Sequence, residues 1–96
     1  MITYPAVHQD LALVVDEGVP AGALVDAARA VAPEVREARV LGAPYRGEQI
    51  PPGKKSVALA LSFQSQERTL SNADAAALRE GVVAALGERF GAELRA

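Results

Sequence analysis

The strongest structural signal in the sequence is the stretch Ser56-Val57-Ala58-Leu59-Ala60-Leu61-Ser62-Phe63. Large apolar residues alternate in it with serine and alanine, which is the period of two typical of a β-strand with one buried face. The buried face would carry the valine, the two leucines and the phenylalanine. The opposite face would carry only small side chains, so that a flat partner could approach the backbone of this strand closely.

The chain upstream of this stretch predicts a strand followed by a helix. The apolar run from Leu11 to Val15 is short and is followed by a glycine-containing turn signal, which favours a buried strand over a helix. A helix is expected to open at Pro20, where the missing N–H costs nothing, and to stop at Pro33. Its apolar stripe consists of Leu24, Ala27, Ala28 and Val31.

A second strand is predicted from Val35 to Leu41. Pro44 follows it closely, and because proline cannot donate to a sheet ladder, this strand is expected at a sheet edge. The segment from Arg46 to Gly53 contains glycine and paired prolines and is expected to be a loop. The two flanking strands would therefore form a hairpin with a long connection.

The C-terminal third predicts one more helix and one more strand. Ser71-Asn72-Ala73-Asp74 has the pattern of a helix N-cap with an acidic residue three positions on, close to a capping box. The helix would end at Gly87 or Gly91. Its core-facing residues are expected to be Ala75, Leu78, Val82 and Leu86. The segment from Ala92 to Arg95 would form a short fourth strand.

The order strand, helix, strand, strand, helix, strand is the split βαβ or ferredoxin-like arrangement. We therefore predict an α+β fold in which two helices cover one face of a four-stranded antiparallel sheet. The first and third strands would be central and the second would lie at an edge. The length of 96 residues predicts one domain spanning residues 1–96.

The composition excludes several classes of function. The chain contains no cysteine, which removes disulfides, thiolate catalysis and cysteine metal sites. Its net charge of −2 argues against nonspecific coating of RNA or DNA, because strong nonspecific binders are usually basic. Apolar runs fall well short of the roughly 18 residues of a membrane span. Since residues 1–5 do not resemble a secretory signal either, a cytoplasmic location without membrane or DNA partners is expected.

Catalytic and metal-binding patterns are missing from the sequence. The single histidine, His8, has no partners at ligand spacing and is expected to be an ordinary surface or hydrogen-bonding residue. The carboxylates are scattered, and the sequence has neither a G-x-S-x-G setting nor a phosphate-binding glycine loop. We therefore expect no enzymatic activity, no metal and no cofactor.

A candidate site lies where the second and third strands approach their connecting loop. We call the segments Tyr45-Arg46-Gly47 and Lys54-Lys55-Ser56 the hairpin corner. A tyrosine at a strand end can stack on an unpaired base, lysine and arginine can contact phosphates, and a serine can hydrogen-bond a base edge. The alternative is that the tyrosine packs on the loop prolines and that the cations are merely solvated. The pattern of these residues alone leaves both interpretations open.

Several segments of the chain together match a known pattern. They are Tyr4-Pro5-Ala6-Val7, Asp10 to Val15, Tyr45-Arg46-Gly47, Ile50 to Ser56, Phe63, Arg68-Thr69-Leu70 and Phe90 to Arg95. The pattern resembles the ferredoxin-fold anticodon-binding domain, which is found at the C-terminus of the β subunit of bacterial phenylalanyl-tRNA synthetase. The resemblance covers essentially the whole chain with almost no insertions.

The resemblance implies that the sheet face and the hairpin corner meet the anticodon stem-loop of the phenylalanine tRNA. It implies that Tyr45 stacks on the first anticodon base and that Ser56 makes a polar base contact. Expected RNA-binding residues are Tyr45, Ser56, Arg46, Lys54, Lys55 and Asp10. Two positions depart from the family pattern: Gln9 stands where arginine is usual, and Ala43 stands where an acidic residue is usual.

Two questions remain open at the level of sequence. The chain would be either a domain of a larger synthetase, with other synthetase domains as partners, or a free-standing relative. Its function would be either recognition of a tRNA anticodon or, as a free-standing module, binding of another RNA or of a protein through the open sheet face.

Overall fold

The computed structural model describes residues 4–95, which form one antiparallel sheet and two helices. The elements are β1 (Val7–Asp16), α1 (Ala21–Arg29), β2 (Val35–Val40), β3 (Lys54–Phe63), α2 (Asn72–Phe90) and β4 (Glu93–Leu94). The strand order across the sheet is β2-β3-β1-β4. This confirms the ferredoxin-like α+β fold, with β1 and β3 in the centre and β2 at an edge.

The strand β3 has one buried face, as its alternating sequence predicts. Its large apolar residues Val57, Leu59, Leu61 and Phe63 are all buried. They share a single core with Leu24 and Ala28 of α1 and with Val82 and Leu86 of α2. Because both helices contribute to the core on this side of the sheet, the face that carries the small residues of β3 is free of helices.

Two boundaries differ by more than two residues from the predicted ones, for physical reasons. The strand β1 begins at Val7, because residues 7–10 continue the antiparallel pairing with β3 as far as Phe63. The helix α1 ends at Arg29, four residues before Pro33, so that Val31 lies beyond the helix although it still packs on the core. A proline lacks an N–H and keeps the preceding residue out of the helical region, so the helix has to end before it.

The start of α2 confirms the predicted capping box. The backbone N–H of Asp74 donates to Ser71 Oγ at 3.1 Å, and the backbone N–H of Ser71 donates to Asp74 Oδ2 at 2.9 Å. Arg68 also donates to this carboxylate, and this hydrogen bond is the main reason why the pKa of Asp74 lies well below its ordinary value. The helix continues past Gly87 and ends at Gly91, whose φ of 66° is the left-handed cap that glycine favours.

Candidate nucleic-acid interface

The helix-free face of the sheet has a floor of small side chains. Residues that pair directly across antiparallel strands lie on the same face of the sheet. Ala58 pairs with Ala12, and Ala60 pairs with Asp10, so these residues lie side by side in the two central strands. We call Ala12, Ala58 and Ala60 the alanine floor. We call the helix-free face of the sheet the open face. Because the side chains in its middle are small, a flat partner can approach the backbone of the central strands closely.

One end of the open face is polar. His8 Nδ1 lies 3.0 Å from Ser62 Oγ, so the histidine is an exposed hydrogen-bonding residue as expected. Asp10 is exposed and faces Ala60. Val14 of β1 pairs with Ser56 of the hairpin corner. Asp10 lies four residues along β1 from Val14, which corresponds to about 13 Å in an extended strand. Asp10 therefore shares the open face with the hairpin corner but lies well away from it.

Tyr45 is joined to the sheet by an isolated bridge beyond the end of β2. Its N–H donates to the carbonyl oxygen of Ser56 at 2.8 Å, and the N–H of Ser56 donates to the carbonyl oxygen of Tyr45 at 2.9 Å. Tyr45 is 47% exposed, whereas Ser56 is only 4% exposed. The ring is therefore available to a partner, whereas the serine hydroxyl would reach one only after a neighbouring group moves.

A cation from the opposite edge of the sheet lies over the Tyr45 ring. The guanidinium carbon of Arg95 is 5.0 Å from the ring centroid, within the range of a cation–π interaction. Arg95 Nη2 also donates to Gln49 Oε1 at 2.9 Å, and the Arg95 N–H donates to the carbonyl oxygen of Ala12 at 2.7 Å. Arg95, held by Gln49, thus covers one side of the ring.

The phenol of Tyr45 also lies against the backbone of Gly47. A β-carbon placed on Gly47 would lie 2.6 Å from Cζ and 3.0 Å from Cε1 of the tyrosine, closer than real β-carbon contacts allow. The two residues are therefore complementary: the glycine leaves the space that the ring occupies. The tyrosine therefore packs on this glycine and lies under Arg95.

Replacing Gly47 with alanine is expected to move the Tyr45 ring while leaving the fold intact. Gly47 is not among the glycines with positive φ, so alanine causes no backbone strain there, and the exposed ring is free to swing outward. We expect the free energy of unfolding to change by about 0.5 kcal/mol or less. Proton NMR should show the loss of ring contacts to residue 47, which is easily followed because the chain has only two tyrosines.

The matched control for this substitution is Gly18→Ala. Gly18 lies in the turn after β1, and a β-carbon there meets nothing within 4 Å. It should leave the Tyr45 ring signals unchanged. A Gly47→Ala protein that keeps the ring contacts, or one that unfolds, would contradict the packing described above.

Both exposed cations of the hairpin corner are paired with carboxylates at the end of β1 and in the turn that follows it. Arg46 Nε donates to the two carboxylate oxygens of Glu17 at 2.8 and 2.9 Å, and Arg46 Nη2 donates to Oε1 as well. This hydrogen bonding lowers the pKa of Glu17 and raises that of Arg46 from their ordinary values. Lys54 Nζ donates to Asp16 Oδ1 at 3.0 Å. The cations lie at the corner but are not free of partners.

The remaining predicted residues do not join Tyr45. Lys55 faces Val15 in the sheet and is 8% exposed, so it lies on the side of the core and not on the open face. Gln9 faces Leu61 and also lies on that side, whereas Ala43 is exposed in the loop before Tyr45. One departure from the family pattern therefore lies in the sheet on the side of the core, and the other lies in an exposed loop. The structure brings together Tyr45, Ser56, Arg46 and Lys54.

Two further features concern metal binding and membrane insertion. Across residues 4–95, no three His, Cys, Asp or Glu side chains converge in the way that a metal ion requires. In this part of the chain, neither α1 nor α2 combines the length and apolar character needed to cross a membrane.

The fold is a ferredoxin-like domain, with both helices on one side of an antiparallel sheet. The other side is the open face, with the exposed ring of Tyr45 at the hairpin corner. These features are typical of a binding domain. Residues 3–95 match the family model described as the ferredoxin-fold anticodon binding domain. The chain belongs to this family, which confirms the resemblance seen in the sequence.

The curated relatives are beta subunits of phenylalanine–tRNA ligase. The chain is 46% identical over 92 residues to that of Vibrio vulnificus strain YJ016, covering 96% of this chain and 12% of the relative. It is 45% identical over 93 residues to that of Geobacillus kaustophilus, with 96% and 11% covered. For Thermobifida fusca the values are 43% over 93 residues, with 97% and 11% covered. The chain thus spans about one eighth of the length of these relatives.

Proposed function

We propose that the chain binds the anticodon stem-loop of a tRNA, that of phenylalanine, through the open face and the hairpin corner. One observation supports this most strongly: in a member of an anticodon-binding family, a 47%-exposed tyrosine lies beside the small residues of the open face. An unpaired base has two flat faces, and an exposed aromatic ring is a surface on which one of them can stack. The name of the relatives supports phenylalanine as the amino acid of the tRNA.

In this proposal Tyr45 supplies the stacking surface for one anticodon base. Arg95 lies over one face of the ring and Gly47 lies against the phenol, which leaves the other face for an incoming base. Stacking of a base on an aromatic side chain tolerates any base, because every base has a π-face. Selection among bases therefore requires polar contacts, which we assign to Ser56 after a local movement and to Asp10 farther along the open face.

Phosphate contacts would come from the exposed cations of the hairpin corner. Arg46 and Lys54 lie beside the tyrosine and would position the RNA backbone without reading its sequence. Lys55 lies behind the open face and would contribute its positive charge at longer range. The domain would perform no chemistry itself; aminoacylation would belong to other domains of a ligase in the cytoplasm, which would also be its protein partners.

A titration with two RNA stem-loops tests this function. The 96-residue chain is mixed with a stem-loop that carries the phenylalanine anticodon, and separately with one whose loop bases are scrambled while its length and charge stay the same. We expect clearly tighter binding to the first, because only the loop bases differ. Equal affinity for the two RNAs would contradict anticodon recognition. A protein that binds neither RNA but forms a tight oligomer through Ala58 and Ala60 would indicate protein docking instead.

A further inference from the structure

Two consecutive carboxylates at the end of β1 pair with both exposed cations of the hairpin corner. Asp16 is the last residue of β1, and Glu17 follows it directly in the turn. Their partners Lys54 and Arg46 lie in a different part of the chain, at the start of β3 and in the loop before it. The N–H of Glu17 also donates to the carbonyl oxygen of Gly53 at 2.9 Å, which ties the turn to this loop.

These ion pairs resemble the contacts that an RNA phosphate would make. A guanidinium binds a carboxylate or a phosphate through the same pair of parallel N–H groups, so Glu17 occupies the donors of Arg46 that a phosphate needs. All four side chains are solvent-exposed. Exposed ion pairs are weak and exchange readily, so a phosphate is able to replace the carboxylate but gains little by doing so.

We propose that Asp16 and Glu17 compete with RNA phosphates for Lys54 and Arg46 and thereby weaken the binding of every RNA, so that tight binding requires the correct loop bases. This inference rests on the proposed RNA-binding function. An RNA without the correct loop bases offers only phosphates, which must compete with the two carboxylates. An RNA with the correct bases adds stacking on Tyr45 and polar contacts, and these offset the loss of the ion pairs. The carboxylates thereby weaken the phosphate contacts, which do not depend on sequence. They do not affect the contacts to the bases.

The charge of the whole chain fits this role. A net charge of −2 limits long-range attraction to RNA, and pairing of Arg46 and Lys54 removes local positive charge where the backbone would lie. Phosphate contacts make binding to a single strand depend on salt, with a slope of about 0.7 per contact in a plot of log affinity against log salt concentration. Release of one cation from its carboxylate is therefore measurable as a change in that slope.

The test is the substitution Glu17→Gln, compared with Glu88→Gln. The first keeps the size of the side chain and its acceptor oxygen but removes the charge next to Arg46. Glu88 is exposed on α2, on the other side of the sheet, so its substitution changes the net charge equally without touching the corner. Affinities of the wild type and both variants for the two stem-loops are measured from low to physiological salt.

For Glu17→Gln we expect binding of the scrambled loop to become about three- to tenfold tighter at low salt, with a salt slope steeper by about 0.7. The anticodon loop should tighten by a similar factor, because it displaces the same carboxylate, so the ratio of the two affinities should stay about the same. Glu88→Gln should leave both slopes unchanged. A Glu17→Gln protein that binds the scrambled loop no better than Glu88→Gln does, or binds it more weakly, would overturn the inference.

The outcomes separate this inference from the proposed function. Selective binding of the anticodon loop by the wild type, with no effect of Glu17→Gln, would leave the function standing and refute the role of the carboxylates. Equal binding of both loops by the wild type, with tighter binding after Glu17→Gln, would support the carboxylate competition and refute anticodon recognition. If none of the proteins binds either RNA, both proposals fail.

Discussion

Replacing Tyr45 with alanine is expected to weaken binding of the phenylalanine anticodon stem-loop by roughly 5- to 150-fold, the equivalent of about 1–3 kcal/mol. The reason is the loss of the only exposed tyrosine or phenylalanine ring among the described residues. The free energy of unfolding should hardly change, because almost half of this side chain is already in water. Fluorescence anisotropy titrations at fixed salt, together with urea unfolding, would measure both quantities.

The control for this prediction is Tyr45→Phe, which keeps the ring over which Arg95 lies. It should bind the stem-loop within a fewfold of the wild type, since stacking requires the ring and not its hydroxyl. The scrambled loop serves as a second control for charge. If alanine and phenylalanine at this position bind equally well, then Tyr45 does not stack on a base and the anticodon contacts must be sought elsewhere on the open face.

Replacing Phe63 with alanine is expected to destabilise the fold by about 3–5 kcal/mol. Phe63 is fully buried at the end of β3, where it pairs with Val7 of β1 and faces Val35 of β2. Alanine would lose the buried surface of the ring and leave a cavity at the place where three strands meet. Because a small domain has only about 5–15 kcal/mol of stability, much of the total would be lost.

Urea unfolding followed by circular dichroism measures this loss, and Phe90→Ala is the matched control. Phe90 is the last residue of α2 and only half-buried, with the guanidinium of Arg89 5.4 Å from its ring centroid. The same chemical change there should cost distinctly less than at Phe63. Equal losses at the two positions would show that Phe63 is not a central part of the core.

The fold was predictable because its strongest signals are local. The alternation from Ser56 to Phe63 is complete over eight residues, and Ser71 and Asp74 form a capping box within four. The ends of the strands were harder to predict from the sequence, since they depend on the neighbouring strands with which they pair. Val7 to Asp10 join β1 only because β3 is long enough to pair with them, and a sequence pattern does not contain the length of a partner strand.

The site was predictable in part for the same reason. Tyr45 and Ser56 flank one loop, so a hairpin places them side by side. Arg95 and Glu17 lie 50 and 28 positions from Tyr45 in the sequence and reach the corner only through the order of the strands. The complementarity of Gly47 to the tyrosine ring depends on side-chain conformation, which no local pattern specifies.

The alanine floor also bears on the entropy of binding. An alanine side chain has no rotamers to lose, and Ala12, Ala58 and Ala60 lie in the two central strands, whose backbone is held from both sides. A partner on this surface therefore freezes little motion in the protein, and most of the ordering cost of the complex falls on the partner.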